Sequence, residues 1–545
     1  MAKKKNKKYI FVVGGVMSGV GKGITTSSIA KIIQSRGFSV TALKVDPYIN
    51  VDAGTMNPTE HGEVFVLADG DETDQDMGNY ERFLETTLPS SNYMTTGRVY
   101  QSVIERERRG GYGGKCVEVV PHIPLEIISR LEKAGKKEDA EVIITEIGGT
   151  IGEYQSLLFL EAARMLKTKR PNDVLFVLVS YVPLPSKIGE MKTKPTQYAS
   201  RTLNSAGIQA DIIVARSEVP MDDKRKGKIA MSCAVDKDSV ISAPDVDSIY
   251  HVPLNFEKDN LSNIILKKLG LKGRKRDMSD WERFTAKIDN AKKTVKIGIV
   301  GKYFETGDFV LSDAYISVIE AIKHASYQNG CKPELAWLDS SVYEKDTNKL
   351  KDLKQYDGIV VPGGFGSRGI EGKINVAGYC RENKIPYFGL CYGMQIAVID
   401  FARNVAGVED ANSAEINEKA KNLVIDIMPE QKEKMKQKDF GGSMRLGSYI
   451  AKVKNGTIAR RAYKKAEISE RHRHRYEVNP KYVEQIEKAG LVFSATSPDG
   501  VLMEIVELPQ EKHPFFLATQ FHPEFQSTPL TPHPLFNEFI KVAKK

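Results

Sequence analysis

The chain of 545 residues is poor in cysteine and tryptophan, with five and two residues respectively. The cysteines are Cys116, Cys233, Cys331, Cys380 and Cys391. They are scattered, odd in number and without a C-x-x-C pair, so we expect reduced thiols in a cytoplasmic protein and neither a disulfide framework nor a zinc site. The sequence also lacks an apolar run near the roughly 20 residues of a membrane span, and the apolar run that ends at Gly14 is too short for a signal peptide. We therefore expect no membrane partner.

The charges are close to balance, because 79 lysines and arginines against 70 aspartates and glutamates leave a net charge of +9. Much of the excess lies in the first eight residues and in residues 266–277. Such runs are usually solvated, so we interpret residues 1–8 as a basic tail and residues 271–293 as an interdomain linker with a helix anchored by Trp281. A mild positive charge suits nucleotides, and we expect no nucleic-acid partner.

A nucleophilic cysteine is predicted in residues 386–395, PYFGLCYGMQ. A strand-like run ends at the G-x-C-x-G step around Cys391 and an amphipathic stretch follows, which is typical of a nucleophile elbow. The flanking glycines are expected to permit the strained turn. A lone cysteine after an apolar run is more often a buried small hydrophobe, which is our interpretation of Cys380. The elbow pattern favours Cys391 as the nucleophile.

Residues 517–526, LATQFHPEFQ, supply the matching base. His522 and Glu524 are two positions apart, so an extended backbone would point both side chains to one face. Glu524 would then orient and polarise His522, which completes a Cys-His-Glu triad with Cys391. The glycine-rich end of residues 357–366, DGIVVPGGFG, would offer backbone N–H groups to an oxyanion. Together these features indicate a site that hydrolyses a carboxamide.

The amino-terminal part of the chain contains a candidate phosphate loop. A strand-like run over residues 9–14 leads into GGVMSGVGKGITT, and a helical pattern and a second strand-like run follow. Backbone N–H groups of such a loop, together with Lys22, would bind phosphate. The strict P-loop pattern fails, because Gly15 lies one residue early and Gly23 replaces the hydroxyl residue that binds magnesium. An ordinary tight turn is the alternative.

Two acidic residues are candidate Mg2+ ligands. Asp76 lies in DGDETDQDMG, and Glu146 lies at the end of an apolar run in VIITEIGGT. Magnesium prefers oxygen ligands and retains several waters, so these carboxylates would suffice together with nucleotide phosphates. For the acidic cluster alone, a solvated loop is the commoner explanation.

Both halves alternate strand-like runs with helical patterns, which predicts an α/β fold. Each half is expected to be an open, mostly parallel sheet covered by helices, one spanning residues 9–270 and the other residues 294–545. Ligands of such sheets bind at the carboxyl ends of the strands.

These motifs resemble two known families. Residues 294–545 resemble the class I glutamine amidotransferase domain, and the chain from residue 9 to its end resembles the CTP synthase family. The segments that carry the second resemblance include GGVMSGVGKGI, KVDPYINVDAGTMNPTEHGEVFV, ETDQDMGNYERF, EIGGTIGEYQS, GEMKTKPTQ, GGSMRLG and RHRHRYEVN. The resemblance implies a ligase that phosphorylates UTP with ATP and aminates it with ammonia from glutamine, delivered through an internal passage. It further implies Mg2+, activation by GTP, inhibition by CTP, a homotetramer and filaments.

The resemblance also implies roles for individual residues of the amino-terminal half. Residues expected to bind ATP are Gly19, Val20, Gly21, Lys22, Gly23, Ile24, Asp76, Asp245 and Val246, with Mg2+ on Asp76 and Glu146. Lys44 is expected near the transferred phosphoryl group. Residues expected to bind UTP or CTP are Ser18, Lys192, Thr193, Lys194, Pro195, Thr196, Gln197 and Lys228, and for CTP also Glu153, Tyr154 and Gln155. The EYQ segment departs from the acidic-aliphatic-Glu pattern of the family, which puts the strength of CTP inhibition in doubt. Without this context, the KTKPTQ run would be interpreted as a solvated loop.

In the carboxy-terminal half, the resemblance implies a glutamine pocket. Its expected residues are Gly364, Tyr392, Gly393, Met394, Gln395, Glu415 and Arg473. A carboxylate for the substrate ammonium and a guanidinium for its carboxylate are chemically reasonable partners. Arg368 and Arg445 are expected to take part in the response to GTP, Arg445 within a mobile lid. The alternative interpretation of RHRHR is a basic patch for nucleic acid.

Two other functions remain open at this point. An amidotransferase joined to a phosphate-loop domain could serve another acceptor, as in dethiobiotin synthetase-like and cobyrinate-amidating enzymes, although KTKPTQ and DPYINVDAGTMNP argue against this. A structural or regulatory filament protein with residual nucleotide binding is the other alternative. The triad and the phosphate loop argue against a purely structural role.

Overall fold

The computed structural model describes residues 6–187, 189–301, 305–306, 309–310, 312–364, 369–428, 431 and 442–544. The chain packs into two compact units, one formed by Met1–Asp52 and Asp76–Thr285 and the other by Ala53–Gln75 and Ala286–Lys545. The segment 53–75, expected within the domain 9–270, therefore packs with the carboxy-terminal unit. The ranges 9–270, 271–293 and 294–545 stay predictions as functional domains.

The first unit is built on a seven-stranded sheet in which every pairing is parallel. In spatial order its strands are Tyr93–Thr95, Val40–Asp46, Val142–Ile147, Lys8–Gly15, Val174–Tyr181, Ile212–Ser217 and Val240–Pro244. The central strands are buried along nearly their whole length, as expected for a parallel sheet with helices on both faces. The predicted α/β architecture is confirmed for this unit.

Helices connect these strands and cover the sheet. They are Lys22–Ser35, Asp76–Leu84, Thr96–Arg108, Val119–Lys137, Leu157–Lys169, Lys194–Ser205, Asp223–Cys233, Val252–Lys258 and Leu261–Lys268, with short 3-10 turns at Ser90–Asn92, Tyr154–Ser156, Lys237–Ser239 and Ile249–His251. A further helix, Ser279–Asn290, lies in the expected linker, and its Trp281 is buried and donates a hydrogen bond to the carbonyl of Tyr250 over 2.8 Å. The predicted helix and its aromatic anchor are therefore present.

The second unit contains a nine-stranded sheet with a parallel and an antiparallel part. In spatial order its strands are Cys331–Asp339, Lys293–Gly301, Gly358–Val361, Tyr387–Leu390, Phe516–Thr519, Met503–Glu507, Val492–Thr496, Arg445–Val453 and Glu467–His474. The first five strands are parallel, and each later pairing is antiparallel. The α/β prediction is confirmed here too, with an antiparallel extension that the sequence analysis did not indicate.

Smaller elements complete the second unit. Small sheets pair Val64–Val66 with Glu72–Asp74, Glu305–Thr306 with Phe309–Val310, and Leu423–Ile427 with both Asn412–Ser413 and Tyr476–Val478. The helices are Pro58–His61, Ile316–Gln328, Ser340–Lys345, Ile370–Asn383, Tyr392–Asn404, Ile458–Tyr463, Pro480–Ala489 and Pro534–Ala543, with 3-10 turns at Ser312–Tyr315, Thr347–Gln355 and Pro523–Gln526. Among the described residues, we find no helix with both the length and the apolarity that a bilayer crossing requires.

Candidate active sites

Cys391 occupies the turn between the strand Tyr387–Leu390 and the helix Tyr392–Asn404. Its backbone has φ 49° and ψ −98°, a conformation that costs on the order of 1–3 kcal/mol in a non-glycine residue. The strain lies in the cysteine, whereas Gly389 and Gly393 have no positive φ. A β-carbon on Gly389 would lie 2.6 Å from the carbonyl oxygen of Gly393, and one on Gly393 would lie 2.1 Å from that of Val361. The glycines are therefore required for close packing of the elbow, which corrects the expected reason for their presence.

The side chain of Cys391 is 5% exposed and lies among polar groups. Its thiol faces the carbonyl oxygen of Arg473 at 3.7 Å, and the side-chain amide of Gln520 donates to Sγ over 3.7 Å. The backbone N–H of Cys391 is held by the carbonyl of Thr519 at 2.6 Å. These contacts fix the sulfur at the carboxyl edge of the parallel part of the sheet, where ligands of such folds bind.

His522 and Glu524 form the expected pair, with Nδ1 of the histidine 2.7 Å from Oε1 of the glutamate. Their proximity arises from the 3-10 turn Pro523–Gln526 that follows His522, and the extended backbone expected from the i, i+2 spacing is wrong. The imidazole stacks on the ring of Phe525, with centroids 5.0 Å apart. Its buried Nε2 has no hydrogen-bond partner within the described part of the chain, which leaves this nitrogen for chemistry.

The electrostatics of His522 favour the imidazolium form. Burial by itself lowers the pKa of His522, but the negative charges of Glu524 and Cys391 outweigh burial and raise the pKa to about 10. A protonated imidazole beside the sulfur stabilises the thiolate, the form of cysteine that attacks carbonyl carbon. The same group can later protonate a leaving amine.

A cavity of about 80 Å³ opens over the sulfur. Its walls include Gly363, Gly364, Cys391, Arg473 and His522. A β-carbon on Gly363 would lie 2.9 Å from Cε1 of His522 and 3.7 Å from the β-carbon of Cys391, so only glycine leaves room there. The backbone after Val361 thus borders Cys391 and His522, as an oxyanion-binding loop must.

The other residues expected in the glutamine pocket are not shown to line this cavity. Tyr392, Gly393, Met394 and Gln395 form the buried start of the elbow helix, and none of them is among the described cavity walls. The side-chain amide of Gln395 donates to the carbonyl of Tyr476 over 3.1 Å and to Oε1 of Gln520 over 3.3 Å. Glu415 is half-buried, and its charge contributes to raising the pKa of Tyr476 after the larger effect of burial. The assignment of these residues to glutamine stays a prediction.

The RHRHR run is a buried strand and not an exposed basic patch. Arg471, His472, Arg473 and His474 are at most 9% exposed. Arg471 donates to the carbonyl of Val66 over 3.1 Å, and its guanidinium lies 5.5 Å from the ring centroid of Phe65. The side chains of this run therefore pack in the interior, and Arg473 also lines the cavity.

Of the two residues expected to take part in the response to GTP, the structure describes Arg445. Arg368 lies outside the described residues. Arg445 is the first residue of the strand Arg445–Val453, and its guanidinium contacts Glu477 at 3.2 Å and Glu504 at 2.7 Å. Burial opposes the charge of Arg445, but the two carboxylates raise its pKa. Arg445 is thus buried in ion pairs, and its expected part in the response to GTP stays a prediction.

In the first unit, the carboxyl ends of the strands gather the predicted nucleotide residues. The loop with Ser18 and Gly19–Ile24 follows the strand Lys8–Gly15, and Lys22 begins the next helix. Gly21 precedes that helix with φ 90°, a conformation that favours glycine. The Lys22 side chain folds back over Gly14, where a β-carbon would lie 2.7 Å from its Cδ. Burial lowers the pKa of Lys22, and Glu146 opposes this change.

Lys44, Asp76 and Glu146 form a buried charged cluster. The ammonium of Lys44 contacts Asp76 and lies 2.9 Å from Oε1 of Glu146. Asp46 lies 3.7 Å from the same ammonium, and Tyr80 donates to the other oxygen of Glu146. Burial raises the pKa of Glu146 and by itself would raise that of Asp76, whose pKa Lys44 holds below its ordinary value.

This cluster fits a divalent cation that also uses phosphate ligands. Asp76 and Glu146 both approach one ammonium, which shows that their oxygens converge on a single positive charge. No group of three or more His, Cys, Asp or Glu side chains in the described ranges is arranged to hold a metal by itself. Two hard oxygen donors completed by phosphates and water suit Mg2+.

A second cavity, of about 190 Å³, lies beside the phosphate loop. Its walls bring together the predicted Gly21, Ile24, Asp245 and Val246. Sequence reasoning missed Arg216, Asn255 and Phe256, which line the same cavity. The Arg216 guanidinium donates to Asp245 over 2.9 Å and to the carbonyl of Ala243 over 3.1 Å. The only sequence signal for Arg216 was its place at the end of the strand-like run ADIIVARS.

Among the expected UTP residues, those of the KTKPTQ run lie near the end of the strand Val174–Tyr181. The run KTKPTQ is not a solvated loop, because it leads into the helix Lys194–Ser205, with Thr193 before the helix and Pro195 in its first turn. Thr196 is buried and its Oγ1 lies 3.0 Å from Oγ of Ser180. Ser18, Lys228 and Tyr154 are exposed. Lys192 donates to Glu190, Gln197 donates to Thr193, and Gln155 donates to Glu153.

Comparison with known proteins agrees with both halves. The family model described as CTP synthase N-terminus matches residues 8–271, and that described as glutamine amidotransferase class-I matches residues 310–542. A CTP synthase of Carboxydothermus hydrogenoformans is 52% identical over 539 residues, covering 99% of both chains. A CTP synthase of Pyrococcus furiosus is 50% identical over 540 residues, covering 99% of this chain and 98% of its own.

A solved structure offers a further comparison. The glutaminase domain of Trypanosoma brucei CTPS with bound acivicin is 41% identical, with a TM-score of 0.42, and the match covers 46% of this chain and 93% of that chain. The full-length relatives carry the family assignment, because their similarity extends through the triad, the phosphate loop and the segments between them. The chain belongs to the CTP synthase family of glutamine-dependent ligases.

Proposed function

We propose that this chain converts UTP to CTP with ATP and with ammonia released from glutamine. The observation that carries the proposal is the His522–Glu524 pair beside the strained Cys391 in a chain of this family. The residue roles given below belong to the proposal.

Glutamine hydrolysis begins at the sulfur of Cys391. The thiolate attacks the side-chain carboxamide carbon, and the backbone near Gly364 donates hydrogen bonds to the oxyanion that forms. His522 gives its proton to the nitrogen as the C–N bond breaks, which releases ammonia and leaves a thioester. Water then attacks the thioester with His522 as the base, so that glutamate leaves and the thiol is restored. Glu524 keeps the imidazole oriented throughout.

Arg473 and Glu415 are assigned to the two charged ends of the substrate. Arg473 lines the cavity with Cys391, so its guanidinium is suitably placed for the α-carboxylate of glutamine. Glu415 is half-buried and would accept hydrogen bonds from the α-ammonium. A site that binds both charged groups selects a zwitterionic amino acid over a simple amide.

The first unit is assigned the phosphoryl transfer. O4 of UTP attacks the γ-phosphorus of ATP, ADP leaves, and the 4-oxygen becomes a phosphate ester that is a good leaving group. Lys22 and Lys44 neutralise charge on the phosphates, which is the main demand of such a transfer. Mg2+ held by Asp76 and Glu146 would neutralise further phosphate charge when bound.

Amination completes the reaction. Ammonia adds at C4 of the activated pyrimidine, a proton is lost, and inorganic phosphate leaves to give CTP. Ammonia must arrive unprotonated, because ammonium has no lone pair for attack, and intramolecular delivery provides this advantage. The adenine of ATP is assigned to the cavity of Arg216, Asp245 and Val246, and UTP to Ser18, Lys192–Gln197 and Lys228. CTP is assigned to the last group together with Glu153–Gln155.

The decisive experiment follows the absorbance change of CTP formation in the purified full-length protein. With UTP and MgATP, either glutamine or ammonium should support CTP formation. Added GTP should raise the glutamine-dependent rate, and added CTP should lower both rates. Nucleotide binding without phosphate release under either nitrogen source would contradict the proposal and would favour the filament protein. Turnover of another acceptor in place of UTP would favour a different amidating enzyme.

A further inference from the structure

The segment Ala53–Gln75 comes from the amino-terminal half of the sequence, yet it is a wall of the glutaminase cavity. Pro58, Glu63 and Val64 line that cavity together with Cys391 and Arg473. One residue of this segment makes a buried ion pair with Arg473, the residue expected to bind the substrate carboxylate. That residue is Glu72, whose Oε1 lies 2.8 Å from Nε of Arg473.

The segment is held firmly against the strand that carries Arg473. The backbone N–H of Ser448 donates to the carbonyl of Ala68 over 2.9 Å. A β-carbon on Gly447 would lie 2.7 Å from the backbone nitrogen of Gly70, so the two chains touch there. At its other end, the carboxylate of Glu63 accepts hydrogen bonds from the backbone and hydroxyl of Ser317. Glu72 is therefore presented to Arg473 by a rigid support.

The side chain of Glu72 is buried beside the guanidinium of Arg473. Its side chain is 1% exposed, and Oε2 is buried with no hydrogen-bond partner in the part of the chain that the structure describes. A buried carboxylate with one oxygen left unsatisfied is costly unless it is paired with a charge. The guanidinium of Arg473 supplies this charge, so the two residues form a unit whose net charge is zero.

The geometry of the pair sets the direction of the guanidinium. The group is planar and offers its donors in a fixed fork, so a bond at Nε determines where the terminal nitrogens point. One of them, Nη2, donates to the carbonyl oxygen of Gly54, in the same segment, over 3.4 Å. The carbonyl of Arg473 meanwhile faces the thiol of Cys391 at 3.7 Å. Glu72 thus holds the guanidinium that would bind the substrate carboxylate, while the backbone carbonyl of the same arginine contacts the nucleophile.

We propose that Glu72 is the positioning residue that aims Arg473 at the α-carboxylate of glutamine, and so determines selection of an α-amino acid amide. This inference rests on the proposed glutaminase function. Glu72 does not touch the reacting atoms. Its loss should weaken recognition of the carboxylate while leaving the triad able to react.

The test compares three amides in the full-length protein and its Glu72→Gln variant. The amides are L-glutamine, 4-aminobutanamide, which lacks the α-carboxylate, and glutaramate, which lacks the α-ammonium. We expect Glu72→Gln to raise KM for glutamine about tenfold with kcat within about threefold, as expected for lost ground-state binding. Preference for glutamine over 4-aminobutanamide, measured as the ratio of kcat/KM values, should fall about tenfold. Preference over glutaramate should change less than about twofold, because Glu415 is untouched.

Three controls separate this role from a structural one. Asp69→Asn changes an exposed residue of the same segment and should leave the KM for glutamine and both preference ratios unchanged. Alkylation of Cys391 by iodoacetamide, followed on the Cys391 peptide by mass spectrometry, should proceed at the same rate in the Glu72→Gln variant. Adding Glu72→Gln to Arg473→Lys should cause little further loss, because the effects of substituting residues that act as a unit are not additive.

Glu72→Asp, which retains the charge on a shorter side chain, should give an intermediate loss of preference. It supplies a second variant if Glu72→Gln does not fold.

The outcomes are distinct. An unchanged KM and an unchanged preference over 4-aminobutanamide in both Glu72 variants would overturn the role of Glu72. A parallel fall of kcat/KM for all three amides would also overturn it, since that result indicates damage to the whole site. Absence of glutamine hydrolysis in the unmodified protein would overturn the proposed function itself and, with it, this inference.

Discussion

The β-carbon that Gly23 lacks would lie 1.9 Å from Oδ1 of Asp76. The glycine that breaks the usual P-loop pattern is therefore the residue that admits the carboxylate. A serine or threonine at this position would supply a hydroxyl for magnesium but would collide with Asp76. In the proposed magnesium site, a carboxylate from the start of the helix Asp76–Leu84 takes the place of the loop hydroxyl that Gly23 lacks.

We predict that Gly23→Ala abolishes CTP formation with either nitrogen source. The added methyl group must displace Asp76, which contacts Lys44 and is a proposed ligand of Mg2+. A misplaced carboxylate in a phosphoryl-transfer site should lower kcat/KM for ATP by at least about 100-fold. The rate of CTP formation at saturating ammonium and varied MgATP measures this loss.

Gly227 provides the matched control for that substitution. It lies in the helix Asp223–Cys233, has no positive φ, and has no atom within 4 Å of its absent β-carbon. Gly227→Ala should retain activity and stabilise the protein by up to about 1 kcal/mol, since alanine favours helices over glycine. If Gly23→Ala were as active as Gly227→Ala, the packing argument for Asp76 would be wrong.

Cys391→Ala should separate the two reactions. Without the sulfur no thioester can form, so glutamine-dependent CTP formation should fall by at least about 1000-fold. Ammonium-dependent formation should remain within about threefold, because Lys22, Asp76 and Glu146 are unchanged. Cys116→Ser, at an exposed cysteine, should leave both activities intact. Loss of the ammonium-dependent reaction in Cys391→Ala would contradict the proposed division of labour.

Local patterns predicted the elements that carry the chemistry. The strand, elbow and helix around Cys391 follow from G-x-C-x-G, and the phosphate loop follows from a glycine-rich run between a strand and a helix. These features are formed by residues that are close together in the sequence, so a local pattern is enough to predict them. The α/β class also followed from alternating apolar strands and helices, whereas the antiparallel edge of the second sheet did not, because its strands have no distinguishing period.

Contacts between residues far apart in the sequence account for the features that local patterns did not predict. The segment 53–75 precedes Asp76 directly, yet it packs with residues more than 200 positions later, as Glu63 with Ser317 and Glu72 with Arg473 show. Arg216 joins the cavity of Gly21 and Asp245 only through the order of parallel strands. The buried state of Arg445 likewise depends on two glutamates from different strands. None of these contacts has a local signature.

Glu524→Gln should change stability in a pH-dependent way. The carboxylate is a main cause of the raised pKa of His522, about 10 against an ordinary value near 6.5. A histidine whose folded-state pKa is raised contributes stability that is fully present below its unfolded pKa and is lost as the pH rises through the folded pKa. The variant should therefore be less stable than the parent by the largest margin below about pH 6.5, with the margin shrinking towards pH 10.

Thermal melting of both proteins from pH 6 to pH 10 measures this margin. Glu487→Gln provides a control of equal charge change, because Glu487 makes a partly exposed ion pair with Lys454 and lies in another helix. Its effect should be small at every pH in this range. A margin for Glu524→Gln that stayed constant across this range would contradict the prediction, because it would show that Glu524 does not hold a proton on His522.

Arg216→Leu should weaken ATP binding selectively. The guanidinium forms one wall of the cavity beside the phosphate loop and is fixed by Asp245 and by the carbonyls of Ala243 and Pro244. Leucine keeps an apolar stem but removes the donors and the positive charge, so the Kd for ATP, measured by calorimetry, should rise about tenfold. Binding of UTP should change less than about twofold, since its proposed residues follow other strands. Arg164→Leu, which removes an exposed ion pair with Glu161, should leave both affinities unchanged. Equal losses of ATP and UTP affinity in Arg216→Leu would indicate a disturbed sheet edge and would contradict the assignment of this cavity to the adenine.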